Sequence, residues 1–496
     1  IKYGIVTPRF DLWFKIAQQF AKDNYAEPVF WSDTRTNDKQ FKKVFPDCLS
    51  VSLLDYNNWC KGFFDVNHLY STSEVEIPGN WSEVKDVVKL MFNRYNVLGE
   101  WRNVDMDASL MAILVNLSRI WPTSKIDYFI FTETPHTPVD YIIYKLCKLK
   151  NIPTLMLQQH NIVPVVMFKF DIDGEPIKLE QNLFNTGLVN IFNKKIDQYF
   201  SDYQQNDQFI PDYIIQETYK TDHRRLSYVL KRFFLLSKEV WGNVTGKRTT
   251  RNFYSALKDH KPRFGDPFYA QFTRKRFRKK LRNSFLNKFD SEFPKEGYAF
   301  FPLHYEPERT TVPDGGKYYD QLKALVALRQ KLDSHIPILV KEHFVTFSNA
   351  MQGQAGRSPY FYDVIKALPN TYLIDYRLNT QNLIKSSLFV ASITGTVLYQ
   401  SVAMGKPAVI FGHNWFENAP GIFRIENLSE VDFEKTSIDP EKIVTYFKNQ
   451  IIKYSIPGAA HGSFLWSLKK HLGELYSLDY EAEILSKTLK EILIKN

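Results

Sequence analysis

In the first third of the chain, short apolar runs alternate with stretches whose apolar residues recur at helical spacing. Buried strands and amphipathic helices produce these two patterns. The predicted strands are 3–8, 27–33, 125–136 and 152–158, and the predicted helices are 10–24 and 139–151. Because strand, helix and strand follow one another through short links, the pattern predicts a parallel sheet with right-handed crossovers.

The same alternation resumes at Gly297. The predicted strands are 298–305, 336–343, 371–375, 388–392 and 407–412, and the predicted helices are 318–333, 381–387, 396–405 and the tail 481–496. We therefore expect a second doubly wound α/β sheet. Since ligands of such sheets bind beyond the carboxyl ends of the strands, functional residues are expected directly after strands.

Residues 185–296 lie between these two halves, are rich in Lys, Arg, Phe and Tyr, and predict a mostly helical insertion. In its most basic part, 273–289, four apolar residues recur every four positions: Phe277, Leu281, Phe285 and Phe289. On a helix they form an apolar stripe flanked by cations. Such a helix either packs this stripe on the protein or rests on an anionic lipid surface. Nucleic acid is a weaker third partner, because no recognised nucleic-acid-binding motif accompanies the patch.

The chain length and composition set the domain count and the class of partner. A chain of 496 residues is too long for one core, and we expect four segments: 1–184, 185–296, 297–465 and 466–496. The helices of the last segment are expected to pack back onto the first. The net charge of +10 favours an anionic partner. The three cysteines, at 48, 60 and 147, form no CxxC motif or disulfide framework, which is typical of a reducing cytoplasm. No apolar run approaches the roughly 20 residues of a membrane span.

Small hydroxylic residues follow the predicted strand 388–392, with Ser392, Thr394, Gly395 and Thr396 close together. Hydroxyl donors, a glycine that permits close approach and a helix N-terminus can together bind a phosphate. The alternative is an ordinary helix cap made by Thr394 or Thr396. The segment matches neither the P-loop pattern nor the glycine pattern of dinucleotide-binding proteins.

The predicted strand that begins at Ile336 ends in Lys341, Glu342 and His343. Strand alternation predicts that Lys341 and His343 share one side, at the same sheet edge as residues 392–396, where they could neutralise a leaving phosphate. Glu342 would point the other way and have a structural role. The alternative is a surface cluster of charges.

Two further loops carry candidate catalytic groups. In the N-terminal half, Glu133 and His136 lie between a strand and a helix and are candidates for a general base or nucleophile, with a capped loop as the alternative. In the C-terminal half, Glu306 lies in the polar loop after strand 298–305, where an ordinary surface position is the alternative. No HxxxH or DxD motif indicates a metal site.

Taken in order, the C-terminal motifs resemble those of bacterial capsule polysaccharide synthesis glycosyltransferases, the GT-B group that includes CMP-sugar-dependent Kdo transferases. The matching segments are FPLHYEPE (301–308), YYDQ (318–321), VKEHF (340–344), LPN (368–370), SITGT (392–396) and GKPAVIFG (405–412). FTETPH (131–136) is similar to the acceptor-side half of those enzymes. The resemblance implies two Rossmann-like domains facing a cleft, with the acceptor side in 1–184 and the nucleotide-sugar side in 297–465.

The resemblance also assigns roles to individual residues. It implies that His343 takes the place of the histidine in a His-Pro motif, and that Ser392, Thr394 and Thr396 hold the donor nucleotide. Phe344 departs from the family, which usually has proline there to fix the backbone. Tyr376 and Arg377 fall in the segment where GT-B enzymes commonly hold the nucleotide base.

The function implied by the resemblance is metal-independent sugar transfer onto a bacterial surface polysaccharide, capsule or O-antigen, or its lipid-linked precursor. Kdo or a related ulosonic acid from a CMP-sugar is the first choice of donor, no separate cofactor is expected, and Glu133 is the predicted base. The expected location is the cytoplasm, with peripheral contact to an anionic membrane and no nucleic-acid partner. Three alternatives stay open: a UDP- or GDP-hexose donor, polyol-phosphate transfer of the teichoic-acid type, and a non-catalytic glycan- or lipid-binding scaffold.

Overall fold

The computed structural model describes residues 1–32, 39–51, 75–93, 103–121, 125–180, 186–205, 266–306, 308–347, 353–460 and 462–495. Its strands are β1 (Lys2–Val6), β2 (Glu27–Ser32), β3 (Leu49–Val51), β4 (Tyr128–Phe131), β5 (Thr154–Gln159), β6 (Val165–Lys169), β7 (Tyr298–Pro302), β8 (Ile338–Lys341), β9 (Thr371–Ile374), β10 (Ser387–Ser392), β11 (Ala408–Ile410), β12 (Ile422–Arg424) and β13 (Ser455–Pro457).

The α-helices are α1 (Phe10–Lys22), α2 (Lys39–Val44), α3 (Trp81–Phe92), α4 (Asn103–Ile120), α5 (Pro138–Leu149), α6 (Thr186–Gln205), α7 (Asp266–Leu286), α8 (Gln321–Lys331), α9 (Phe361–Ala367), α10 (Thr380–Ser386), α11 (Val397–Ala403), α12 (Pro440–Tyr454), α13 (Gly462–Leu472) and α14 (Leu478–Lys495). Short 3-10 helices lie at Gly316–Tyr318, Gly353–Ala355, Ile425–Glu430 and Gly473–Leu475.

The N-terminal domain is built on a sheet of strand order β13-β6-β5-β4-β1-β2-β3. Neighbouring strands in the series β3, β2, β1, β4 and β5 pair in parallel. Strands β6 and β13 add an antiparallel edge that the apolar pattern did not predict. All four residues of β4 are buried, as expected for a strand covered by helices on both faces. The strand order reverses between β1 and β4, which makes this the switch point of the sheet.

The C-terminal domain is built on a fully parallel sheet of order β12-β11-β10-β7-β8-β9. Counted within this domain, the order is that of a Rossmann sheet, and it reverses between β7 and β10. The two strand orders confirm the predicted fold class, α/β of the GT-B type with two Rossmann-like doubly wound domains. Ligand-binding loops are therefore expected after β7 and β10 in this domain and after β1 and β4 in the other.

The C-terminal end of the chain returns to the N-terminal domain. Strand β13 pairs with β6, and Leu485 and Leu489 of α14 pack in one apolar cluster with Trp13 and Phe20 of α1. Since β13 already belongs to the N-terminal sheet, the return begins at Ser455, earlier than the boundary expected at residue 465.

The basic insertion is described in two pieces, α6 and α7, and its residues 206–265 lie outside the described part. Helix α6 packs Phe192 and Phe200 against Tyr399 of the C-terminal domain. Helix α7 buries Leu281 and Phe285 in that domain, with Phe289 partly buried beside them, whereas Phe277 is 40% exposed. The predicted apolar stripe is therefore divided: its C-terminal part packs on the protein and Phe277 does not.

Two findings bear on the cysteines and on membrane insertion. Cys48 and Cys147 are free, buried thiols, and Cys60 lies outside the described residues. Across the described ranges, every helix falls short of the length and apolar character that a bilayer span requires.

Candidate functional site

The loops after β7 and β10 meet at the switch point of the C-terminal sheet, where His304 lies against Ser392. The His304 Nε2 atom is 3.0 Å from Ser392 Oγ and 3.4 Å from the backbone nitrogen of Thr394. A Cβ at Gly395 would lie 2.8 Å from Ser392 Oγ and 3.4 Å from the imidazole. The absence of a side chain at Gly395 therefore allows the two loops to approach this closely.

The hydrogen bonds around His304 define a neutral imidazole. Because Nε2 accepts from the Thr394 N–H, the ring proton belongs on Nδ1, which lies 3.3 Å from Thr310 Oγ1. Burial lowers the pKa of His304 to about 3, with small additional effects from His343 and Arg357. His304 lies in the segment FPLHYEPE that carried the family resemblance, but it was not among the predicted site residues. Its position directly after a buried strand was the signal that could have singled it out.

The hydroxyl groups of the 392–396 loop have different partners. Ser392 bonds to His304, and the Thr394 hydroxyl donates to the carbonyl of Thr310. Thr396 precedes the first residue of α11, is half-buried, and makes no side-chain cap. Two of the three predicted hydroxyls are thus hydrogen-bonded within the protein, and Thr396 is the one with partial access to solvent.

Lys341 and His343 turn toward different neighbours. Strand β8 ends at Lys341, so the alternation that was expected to align it with His343 does not extend that far. Lys341 Nζ donates to Thr380 Oγ1 at 2.9 Å, and burial lowers its pKa to about 8, against the opposing charge of Asp375. That Lys341 and His343 neutralise a leaving phosphate together stays a prediction.

The His343 ring lies on the β7 side of the strand. It is 6.2 Å from the ring of Tyr305 and stacks on Phe344 at 4.9 Å. Burial, with added repulsion from Lys341 and Arg357, lowers the pKa of His343 to about 3. His343 is thus a neutral group close to His304, and Phe344, where the sequence departs from the family pattern, covers it from the solvent side.

Glu342, directly after the end of β8, is fully buried. Its carboxylate accepts hydrogen bonds from Arg357 Nε at 3.1 Å, Tyr362 Oη at 2.8 Å and Thr346 Oγ1 at 3.1 Å. Arg357 also donates to the carbonyl of His304 at 2.6 Å. This buried ion pair connects the loop after β8 to the loop after β7.

Glu306, a predicted catalytic residue, is hydrogen-bonded within the C-terminal domain. Its Oε1 accepts from Gln321 Nε2 at 2.8 Å, and its Oε2 accepts from the Glu308 N–H at 3.2 Å. Burial raises the pKa of Glu306 to about 7, although Arg357 opposes the shift. The carboxyl group can therefore hold a proton near neutral pH.

Tyr376 and Arg377 follow β9, the edge strand, two strands away from β7. The Tyr376 ring packs 5.6 Å from Phe285 and 5.1 Å from Phe347. The Arg377 side chain is 63% exposed and pairs with Asp375 at 2.5 Å. The structure brings neither side chain into the His304–Ser392 contact, so a role in base binding would use the neighbouring backbone.

Glu133 and His136 follow β4, at the switch point of the N-terminal sheet. Glu133 is half-buried, and His136 Nδ1 lies 2.9 Å from the Thr134 carbonyl. Asp140, in the first turn of α5, is 3% exposed, and its Oδ1 has no hydrogen-bond partner in the described part of the chain. Burial raises the pKa of Asp140 to about 7, and the nearby Glu133 carboxylate adds to the shift. Asp140 was missed because the helical pattern around it gave no sign of its burial.

The carboxyl edges of the two sheets contact each other. Gln158, at the end of β5, donates to Asn414 Oδ1 at 3.3 Å, and Asn414 Nδ2 donates to the Thr394 carbonyl at 3.3 Å. The buried His160 ring lies 4.4 Å from Trp415. The N-terminal edge that carries Glu133 is thereby connected to the C-terminal switch-point loop.

Across the described ranges, no three His, Cys, Asp or Glu side chains come together as a metal-binding group. Metal-independent chemistry stays a prediction.

Comparison with known proteins gives structural neighbours only. No protein-family model matches the chain, and no curated protein matches its sequence. Among solved structures it is similar to the beta Kdo 2,7 transferase KpsC of Thermosulfurimonas dismutans, with 9% identity and a TM-score of 0.26 over 67% of this chain and 79% of that one.

Two further solved structures are similar along almost the whole chain. The UDP-GlcNAc 2-epimerase of Neisseria meningitidis has 12% identity and a TM-score of 0.19, covering 100% of both chains. The wall teichoic acid polymerase TagF has 11% identity and a TM-score of 0.19 over 99% of this chain and 88% of that one. At these identities and scores the neighbours carry no argument on activity, and the fold class rests on the strand orders described above.

Proposed function

We propose that the protein is a GT-B glycosyltransferase that transfers a sugar from a nucleotide-activated donor to a growing surface glycan or its lipid-linked precursor. The first-choice donor is a CMP-linked ulosonic acid such as Kdo, a choice that rests on the sequence motifs. The proposed location is the cytoplasm, and the proposed reaction needs neither a metal ion nor a separate cofactor.

The observation that carries this proposal is the contact of His304 with Ser392 at the switch point of the C-terminal sheet. Switch-point loops of parallel sheets are the usual place where such domains bind nucleotides. His304 and the partly accessible Thr396 lie there, and Gly395 allows the two loops to approach each other closely. The donor nucleotide is therefore assigned to this edge.

The donor assignment is tested by calorimetric titration with CMP, UDP and GDP. Binding of CMP more tightly than UDP or GDP is expected for a CMP-sugar donor. Tighter binding of UDP or GDP would replace the Kdo proposal with a hexose donor. Release of CMP with transfer of a glycerophosphate would identify a polyol-phosphate transferase, and nucleotide binding without any turnover would favour the non-catalytic scaffold.

Glu133 is the proposed base that activates the acceptor hydroxyl. It is half-buried at the N-terminal switch point, on the sheet edge that contacts the C-terminal loop through Gln158 and Asn414. A positioned general base contributes about 10²–10⁴-fold to a rate. Glu133→Gln should therefore lower turnover by at least about 100-fold while nucleotide affinity stays unchanged. Full turnover in this variant would exclude Glu133 as the base.

Peripheral membrane contact is proposed for the outer side of α7. Phe277 is 40% exposed there, and Lys275, Lys279 and Lys280 are exposed beside it. Basic side chains next to an exposed aromatic ring favour an anionic lipid surface. Binding to phosphatidylglycerol vesicles should weaken steeply with salt and fall in Lys279→Gln/Lys280→Gln. Binding that salt does not change, or no binding at all, would exclude the lipid surface.

A further inference from the structure

The loop after β7 carries Arg309 next to the contact of His304 with Ser392. Arg309 directly precedes Thr310, whose hydroxyl lies 3.3 Å from His304 Nδ1 and whose carbonyl accepts a hydrogen bond from the Thr394 hydroxyl. Arg309 also comes directly after the segment FPLHYEPE, so the sequence motifs assigned it no role. Its backbone is therefore one residue away from the candidate donor site.

Close packing fixes this part of the loop against its neighbours. The Asp314 carbonyl accepts a hydrogen bond from the His413 N–H, in the loop after β11, at 2.8 Å. A Cβ at Gly412 would lie 2.5 Å from the Asp314 carbonyl oxygen and 2.7 Å from Thr394 Cγ2. The loops after β7, β10 and β11 can meet this closely because residue 412 has no side chain.

The same loop also contacts the N-terminal domain. Val312 is buried in one apolar cluster with Tyr144 and Ile172 of that domain. Arg309, three residues before Val312, thus belongs to a loop that is held by both domains. In the proposed reaction, donor and acceptor would meet between these domains.

The side chain of Arg309 lies against a buried carboxylate. Its Nε atom is 3.5 Å from Asp314 Oδ2, and Asp314 is fully buried, with neither carboxylate oxygen hydrogen-bonded in the described part of the chain. The Arg309 side chain is 22% exposed, and among the described residues its two Nη atoms have no hydrogen-bond partner. A guanidinium that faces a carboxylate through Nε keeps its Nη edge, with two parallel N–H groups, for another oxyanion.

The charges of the neighbouring groups show why a cation matters there. The imidazoles of His304 and His343 are neutral at physiological pH, since burial lowers both pKa values. Arg357 is paired with the buried Glu342, and the Lys341 ammonium donates to a threonine hydroxyl. A departing nucleotide phosphate needs positive charge nearby, and a guanidinium suits phosphate because it donates two parallel hydrogen bonds.

We propose that Arg309 binds the phosphate of the donor nucleotide through its two Nη groups, with Asp314 as the positioning residue that fixes the guanidinium. This inference rests on the proposed function, because it takes the switch-point loops as the donor site. The phosphate is thereby assigned to a residue that lies between the motifs FPLHYEPE and YYDQ and belongs to neither. The competing explanation is an ion pair that only compensates the buried charge of Asp314.

The test uses Arg309→Met/Asp314→Asn in the full-length protein. Removing both charges avoids leaving the Asp314 carboxylate unpaired in the core, which would destabilise the single variant Arg309→Met. Lys317→Met is the matched control, because Lys317 is a cation of the same loop whose side chain is 61% exposed and paired with Glu426 at 2.8 Å. Circular dichroism and thermal unfolding would check that the variants are folded.

Calorimetry would measure binding of the nucleotide that the wild type prefers among CMP, UDP and GDP, of the corresponding nucleoside, and of inorganic pyrophosphate. We expect the double variant to weaken nucleotide binding about tenfold or more, the usual effect of losing a hydrogen bond to a charged group. Nucleoside binding should be unchanged, and Lys317→Met should bind the nucleotide like the wild type. Unchanged nucleotide binding in the folded double variant, or an equal loss for nucleotide and nucleoside, would overturn the proposal.

A second variant decides the case in which the double variant does not fold. Arg309→Lys keeps a positive charge beside Asp314 but lacks the two parallel N–H groups, so its nucleotide affinity should lie below that of the wild type. Wild-type nucleotide affinity in Arg309→Lys would overturn the assignment of the phosphate to the two Nη groups.

Failure of the proposed function gives a different result. If the wild type binds none of the three nucleotides, the nucleotide-sugar donor is wrong, and pyrophosphate then decides on Arg309 alone. Pyrophosphate binding that is lost in the double variant but kept in Lys317→Met would still identify an anion-binding arginine. The absence of pyrophosphate binding in the wild type would overturn that assignment too.

Discussion

The buried pair of Glu342 and Arg357 connects the loops after β8 and β7, and breaking it should destabilise the C-terminal domain. We consider Arg357→Met, which keeps much of the side-chain volume and removes the charge. Glu342 is fully buried, and among the described residues its carboxylate keeps as donors the Tyr362 and Thr346 hydroxyls and one backbone N–H. The carbonyl of His304 also loses its 2.6 Å bond to the guanidinium.

The expected loss follows from these contacts. The bonds to Glu342 and to the His304 carbonyl both come from the charged guanidinium, and each bond of this kind contributes about 1.5–3 kcal/mol. Their sum agrees with the roughly 3–5 kcal/mol lost when one partner of a buried ion pair is removed. For a domain of this size, 1 kcal/mol corresponds to roughly 2–4 °C in the unfolding midpoint, so a drop of about 6–20 °C is expected.

Thermal unfolding of three variants isolates the cause. Arg377→Met removes an arginine from a pair with Asp375 in the same domain, but that arginine is 63% exposed, so its loss should lower the unfolding midpoint much less. Glu342→Gln/Arg357→Met removes the charge left behind and should be more stable than Arg357→Met alone. If Arg357→Met unfolds at the same temperature as Arg377→Met, or the double variant is the least stable, the buried pair does not have the role described here.

Two further predictions concern the carboxyl groups of the candidate site. The pKa of Asp140 is raised to about 7 in the folded protein, so its contribution to stability is complete below about pH 4 and is lost as the pH rises through about 7. Asp140→Asn lacks this loss. Its melting temperature relative to that of the wild type should therefore be higher at about pH 8 than at about pH 5. The same relative melting temperature at both pH values would contradict the raised pKa of Asp140. Gly356→Ala would bring a Cβ within 2.1 Å of the Glu306 Cβ, so a loss of about 1–3 kcal/mol in unfolding free energy is expected, whereas Gly79→Ala, with nothing within 4 Å, should melt with the wild type. Equal melting of the two glycine variants would show that the Glu306 loop can move away at no cost.

Much of the fold could be predicted from the sequence because strand and helix patterns are local. Strands β1, β2, β5 and β10 lie within a residue or two of the predicted segments, and the doubly wound class followed from their alternation with helices. The antiparallel edge formed by β6 and β13 could not be predicted, because two short strands far apart in the chain pair there. Residues 206–265 of the insertion were predicted to be mostly helical, and they lie outside the described residues.

The candidate site was predicted as a set of loops and not as a set of contacts. The sequence alone determined which side chains follow strands, and hence that Ser392, Glu133 and Lys341 lie at carboxyl edges. Strand order decided the rest: β7 lies between β10 and β8, so His304, and not Lys341, meets Ser392. Burial, which depends on the whole packed domain, made His304 neutral, raised the pKa of Asp140 and turned Glu342 into a structural anchor.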